Sequence, residues 1–267
     1  MNIKACLSLT KAGITEQMSF RLGIFTVFAG NLIYLTIIYF LWKAIFDSAP
    51  TQTVSGMSFS DTMIYLVLAM ALFNFMEVYL VWIMGRNIQS GKIILDLLKP
   101  MPLISYMFFE SAGFLVVNFV LTLLPTMGIV YFISGRAFSL SINLVFFFIA
   151  ALLGLAINYF INFFVATICI FTESIWGINI MKEVVILLFS GASIPLAFFP
   201  EQLLKVVYKL PFQAIYNTPL TLLIGKNITI LQSFQMIGIQ GFWVAVTGII
   251  AVLFFRFALR RITVNGG

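Results

Sequence analysis

Long apolar runs separated by short polar stretches set the pattern of this chain. A helix needs about 20 mostly apolar residues to cross a bilayer. Such runs occupy residues 22–42, 62–85, 106–133, 142–171 and 236–255. A further run begins near Val184 and meets Pro195 and Pro200 after little more than ten residues. Counting it, six spans are the simplest reading, with the fifth one short. Glu77 alone interrupts the second run, Glu110 stands near the start of the third, and the fourth carries no charge.

Composition fixes the class. Of 267 residues, 62% are apolar and 9% charged, against about 45–50% and about 25% in soluble domains. The expectation is an all-α integral membrane protein, a single domain over residues 1–267 with no internal repeat and no soluble part. The first apolar run is full-length and lacks a small-residue cleavage site after it, so it reads as an uncleaved anchor.

The same counts close off several chemistries. With no histidine, no His-based acid–base pair, triad or metal site can be built. Cys6 and Cys169 are far apart and form no CxxC pair, and no GxxxxGK[ST] loop occurs. Neither a metal site nor a cofactor is expected in this chain, and ATP-driven work needs a partner. The net charge of +6 reads as the basic flanks of membrane helices rather than as a nucleic-acid footprint.

Six spans put both termini on one side, and the basic residues choose it. Lys4, Lys11, Arg21, Arg86, Lys92, Lys99, Lys182, Arg256, Arg260 and Arg261 share that side. Lys43, Arg136, Lys205, Lys209 and Lys226 face the other. The bias predicts cytoplasmic termini, with Lys182 in the loop after span four.

Three segments are too apolar for idle loops and too short to span. In residues 1–19, Ile3, Cys6, Leu7, Thr10, Ile14 and Met18 share one helical face, which suits an amphipathic helix in the membrane interface; a disordered tail is the alternative. The loop 86–105 holds IILDLLK between Gly91 and Pro100. Its Ile93, Ile94, Leu97 and Leu98 either enter a partner's groove or rest on lipid headgroups. Residues 190–226 carry Pro195, Pro200, Pro211 and Pro219. Two small apolar helices, about 201–210 and 212–224, fit between them. Such backbone is tolerated at membrane depth only under a cover of protein or cavity water. A re-entrant helical hairpin meets that condition better than a surface loop.

Two polar features lie inside the spans. Glu77 precedes Arg86 by nine residues, about 13 Å of helix. At that depth a carboxyl marks either a pathway or a hydrogen-bonded neighbour. Gly154, Asn158 and Asn162 follow at i, i+4 and i+8, a stripe suited to helix–helix contact or to a solvated path.

With these pieces placed, the chain resembles the permease subunits of type-two ABC exporters, in the branch with two unlike permeases and one ATPase. The resemblance runs over essentially the whole chain and is most specific in residues 171–226. It is carried by Trp176–Gly177, Gly191 with Pro195, Phe199–Pro200, Leu210–Pro211–Phe212, Pro219, and Leu222–Leu223 before Gly225. GKIILDLLKP, residues 91–100, is similar to the family's first coupling loop.

What the resemblance implies is a permease half in a bacterial inner membrane, without enzymatic activity of its own. It would pair with a second permease as a hetero- or homodimer and be driven by a separate ATPase that holds ATP and Mg. Ile93, Ile94, Leu97, Leu98 and Lys99 would couple to that ATPase. Glu77, Gly154, Asn158 and Asn162 would lie on the pathway or the permease interface. Pro195, Phe199, Pro200, Pro211 and Pro219 would shape the outer hairpin.

Rival readings are a secondary transporter, an intramembrane enzyme and a non-catalytic assembly subunit. A secondary transporter calls for paired broken helices in two halves, whereas the breaks here are one-sided, in residues 190–226, although Pro125 interrupts span three. An enzyme lacking histidine is left with a Ser–Lys or carboxylate-pair design. Stimulation of a co-purified ATPase separates the exporter reading from all three.

Overall fold

A computed structural model describes residues 3–134, 142–172, 175–225 and 228–260. Arg136, Lys226 and Arg261, counted above for orientation, lie outside the described residues, as do Glu173 and Ser174. The described residues are mostly helical. Among the described residues, five helical segments are long and apolar enough to cross a membrane: Arg21–Asp47, Phe59–Gln89, Leu103–Ile133, Ile142–Ile168 and Ile230–Leu259.

Helix α1 (Ile3–Ser19) packs along α6 (Leu103–Asn118), and two glycines set how closely. A Cβ on Gly113 would lie 2.4 Å from the Gly13 carbonyl carbon and 2.4 Å from the Ile14 nitrogen. The side of α1 that packs carries Cys6, Leu9, Thr10 and Gly13, while Ile3, Leu7 and Met18 are exposed. Glycine contact with α6, rather than the broadest apolar face, decides which side turns inward.

Helix α2 (Arg21–Asp47) stands almost free of the rest. Ile38 and Trp42 are its buried residues, and Trp42 meets Phe198 with ring centroids 4.6 Å apart. Residues 48–58 hold a small hairpin, β1 (Thr53–Val54) against β2 (Met57–Ser58). Ser55 and Gly56, both at positive φ, make its turn, the geometry that two-residue hairpins favour.

Helix α3 (Phe59–Met76) starts on the Ser58 cap, whose Oγ accepts from the Asp61 amide at 3.1 Å. It ends at Glu77, where ψ is 124° and the backbone is extended. Helix α4 (Leu80–Gln89) resumes after Tyr79, so span two comes in two pieces. A short α5 (Ile93–Leu97) follows the positive-φ Gly91. Span three is α6, a π-helical turn Phe119–Leu123, and α7 (Leu124–Ser134). Pro125 cannot donate to the helix ladder, and the wide turn just before it accommodates the carbonyl left without a partner.

Helix α8 (Ile142–Ile168) is the spine of the bundle, packed by α12 (Ile230–Leu259), α11 (Asn217–Ile224) and α4. Helix α9 (Ile175–Phe189) begins nine residues earlier than the apolar run suggests. Its 15 residues cover about 22 Å. The charges Lys182 and Glu183 therefore sit within α9, not in a loop, which corrects the expected placement of Lys182. Between α9 and α12 lie a 3-10 turn Leu196–Phe198, α10 (Glu201–Val207), a second 3-10 turn Phe212–Ala214, and α11.

The four prolines of this stretch all stand at helix starts. Pro195, Pro200 and Pro211 are N-caps, and Pro219 lies in the first turn of α11. In the first turn a proline leaves no ladder bond unmade. The segment is folded inward: Ala214, Ile215, Tyr216, Leu220 and Leu222 are buried. Tyr65 closes its entry by donating to the Gly191 carbonyl at 2.8 Å, where Gly191 has φ +81°.

Candidate functional site

The polar groups of the spans converge on the break between α3 and α4. A helix end leaves its last carbonyls without intrahelical partners, and in a bilayer these must be satisfied by protein. Two asparagines from other helices supply the donors. Asn118, at the C-terminal end of α6 and just before the π turn, donates its Nδ2 to the Asn74 carbonyl at 2.9 Å. Asn158, in α8, donates to the Met76 carbonyl at 2.9 Å. Asn74 turns its own amide to the Met70 carbonyl at 2.9 Å and to Asn31 Oδ1 of α2 at 3.4 Å.

The network continues into α9. Asn162 Nδ2 donates to the Asn158 carbonyl at 2.8 Å and to Asn158 Oδ1 at 3.1 Å. Lys182 Nζ donates to Asn162 Oδ1 at 2.9 Å and lies 3.9 Å from Glu183 Oε1, its side chain only 8% exposed. Asn179 completes the group by donating to Glu183. Lys182, Glu183 and Glu77 line one small cavity together. Glu77 also precedes the Tyr79 cap of α4 by two residues, where the positive end of a helix dipole favours a carboxylate.

Among the described residues, three cavities reach Glu77. One of about 20 Å³ lies among Glu77, Asn158, Asn162, Lys182 and Tyr216, room for a water or little more. Another of about 40 Å³ lies toward Asn74, Asn118 and α2. The third, about 380 Å³, opens between α1, α4 and α6 and is lined by Glu16, Gln17, Glu77, Tyr79, Glu110 and Phe114, among others. Among the described residues, no group of His, Cys, Asp or Glu could hold a metal ion.

A second polar chain ties the short α5 to the spans. Asp96 is 2% exposed. It accepts from Asn87 Nδ2 of α4 at 2.7 Å and from Lys99 Nζ at 2.7 Å. Lys99 also sits 3.5 Å from the centroid of the Tyr106 ring, and the Tyr106 hydroxyl donates to Glu110 at 2.7 Å. Burial alone would lower the Lys99 pKa, but its bonds to Asp96 and Tyr106 outweigh that and hold it above the usual lysine range.

The structure sorts the residues expected from sequence. Ile93 is 2% exposed and faces the chain's own core, Ile94 is half-buried, and Lys99 is engaged by Asp96. Leu97 and Leu98 are exposed, as is Leu95 at 62%, which the apolar-face argument passed over. Gly154, Asn158 and Asn162 are all buried within this one chain. A Cβ on Gly154 would fall 2.6 Å from the Ile215 carbonyl oxygen. Pro195, Phe199 and Pro200 precede α10, Pro211 stands between α10 and α11, and Pro219 is within α11.

Several residues escaped the sequence reading, among them Asn118, Asn87, Asp96, Glu183, Lys182 and Gln240. Lys182 passed for a loop residue because the apolar run starts after it. Gln240, fully buried in α12, donates Nε2 to the Ala150 and Ala214 carbonyls at 3.0 and 2.7 Å, joining α8 to the turn before α11. Its signal was a lone amide in an otherwise apolar span.

Among curated proteins, none matches this chain. A sequence model of the family described as "ABC-2 family transporter protein" matches residues 32–266, from within α2 to the penultimate residue. That interval takes in the broken span two, the α5 loop, the α8 stripe and the α10–α11 segment. The chain therefore belongs to the ABC-2 transporter family, as a multi-pass membrane component of an ABC transporter.

Proposed function

We propose that this chain is the permease half of an ATP-driven exporter, driven through α5 by a separate ATPase subunit and paired with a second permease. The observation that carries the reading is α5 itself. It is too short to span, it is fastened to α4 through Asn87 and Asp96, and it turns Leu95 and Leu98 outward. A helix held from behind and apolar in front suits a partner's groove. The ATPase, not this chain, would hold ATP and Mg, since no nucleotide loop occurs here.

In this reading α9 is the fifth of six crossings, both termini are cytoplasmic, and α10–α11 is a re-entrant hairpin closing the outer end. The cavity of about 380 Å³ beside Glu77 is this chain's share of the cargo path. The second permease covers the exposed side of α2. Co-expression with a candidate partner ABC ATPase provides the test. Native chain should retain that ATPase through detergent purification, and Leu95→Asp with Leu98→Asp should lose it while still inserting. Equal retention by both would remove α5 from the interface.

A further inference from the structure

The break in span two contains neither proline nor glycine: residues 74–81 read Asn, Phe, Met, Glu, Val, Tyr, Leu, Val. Local propensity does not stop a helix there. An unbroken helix would satisfy every backbone group by itself, the arrangement a bilayer favours. Something outside the segment must hold it open.

The donors that do so come from two different helices. Asn118 takes the Asn74 carbonyl and Asn158 takes the Met76 carbonyl, each at 2.9 Å. Amide donors thus meet the negative end of α3, while Glu77 stands before the positive end of α4. The negative end of α3 is thereby electrostatically matched. Asn158 is 5% exposed and braced by Asn162. Asn118 is set by the π turn that follows it, a feature often found where a helix is bent to a purpose.

Beyond the break, α4 and α5 are fastened together. Asn87 of α4 binds Asp96 of α5, and Lys99 secures the same carboxylate. Gly85 lets α4 lie close to α9, for a Cβ there would stand 2.9 Å from Ile175 side-chain carbons. Residues 80–99 therefore form one unit, joined to α3 by three non-helical residues.

We propose that Asn118 and Asn158 are positioning residues that hold Glu77–Val78–Tyr79 open as a joint, so that α4 and α5 move as one lever relative to α3. The joint stands independently of any partner; only its use in transport rests on the ATPase reading.

Backbone chemical shifts in lipid bilayers test the joint directly. The sequence contains two Glu–Val pairs, Glu77–Val78 and Glu183–Val184. Labelling Glu carbonyls with ¹³C and Val amides with ¹⁵N isolates these two correlations by solid-state NMR. Glu183, within α9, is the internal helical reference. In native protein the Glu77 carbonyl should resonate outside the helical range while Glu183 lies within it. With Asn118→Leu and Asn158→Leu combined, the Glu77 signal should move to, or split toward, the helical range, and Glu183 should stay.

A helical Glu77 shift in native protein would overturn the proposal, as would an unmoved one in the double variant. Should the double variant lose its Glu183 reference as well, Asn118→Ser and Asn158→Ser singly, which are smaller changes, decide the matter. Each should split the Glu77 signal, and two unsplit signals would reject the clamp. In the ATPase complex, the same variants should keep the ATPase bound and lose the stimulation of its hydrolysis; loss of binding as well would reject the lever. If native chain retains no ATPase, the transport reading fails and the NMR result stands by itself.

Discussion

Residues 190–225 and the three residues Glu77–Tyr79 both interrupt helical structure in the bundle, yet they are made by opposite means. In the first, Pro195, Pro200, Pro211 and Pro219 each start a helix or turn, so the interruption is written into the local chain. In the second no residue forbids a helix, and side chains from α6 and α8 supply what the break leaves unmet. A proline break persists wherever the segment goes. A side-chain break persists only while the neighbours stay in place, and it can therefore respond to them.

Both interruptions rest on one stripe of α8. Gly154 admits the Ile215 carbonyl of the α10–α11 segment, and one turn on, Asn158 takes the Met76 carbonyl. Gly154 and Asn158 of that stripe thus contact two broken segments at once.

Substitutions on these segments sharpen the contrast, beginning with the largest effect. Asn158→Leu strands the Met76 carbonyl and removes the brace from Asn162. At roughly 1–2 kcal/mol for each hydrogen bond in a membrane, about 2–3 kcal/mol of stability should be lost, seen as a lower unfolding midpoint in lipid nanodiscs. Gly154→Val forces a side chain onto backbone that cannot yield, and should cost about 1–3 kcal/mol by the same assay. Gly128→Val, with open space around its Cβ position, is the matched control and should cost less than Gly154→Val. Pro200→Ala removes a restraint at a helix start without removing a contact, and should cost less than about 1 kcal/mol. A proline effect larger than that of Asn158→Leu would invert the comparison.

The sequence reading fared differently at the two places for the same reason. Prolines are local signals, so the short helices near residues 201–210 and 212–224 could be anticipated, and α10 and α11 lie there. Glu77 was visible as a charge at depth, but the break around it was not, because its cause lies on α6 and α8. Asn158 could be recognised as polar, not as the donor to a particular carbonyl. Lys182 was misplaced because a hydropathy run stops at a charge. In the fold, Asn162 and Glu183 compensate that charge and α9 continues past it. The inward side of α1 was missed because the Gly13–Gly113 approach depends on a helix that lies far along the chain. The small β1–β2 hairpin went unread, though Ser55–Gly56 carried its turn.

The α5 loop shows a milder form of this. Its helix and its stop at Pro100 were plain from sequence, whereas which leucines point outward depended on where α4 lay. Ile93 faces inward and Leu95 outward, so substitutions should part company. Ile93→Asp should destabilise the chain itself, by several kcal/mol for an unpaired buried charge. Leu98→Asp should leave stability unchanged.

Vanadate-sensitive ATP hydrolysis by the ATPase, reconstituted with this chain and its second permease in nanodiscs, tests the central claim most directly. Native chain should stimulate hydrolysis above the ATPase alone. Leu98→Asp, equally well inserted and equally stable, should return hydrolysis to the level of the ATPase alone. Stimulation by Leu98→Asp equal to native, or none by the native chain, would contradict the account.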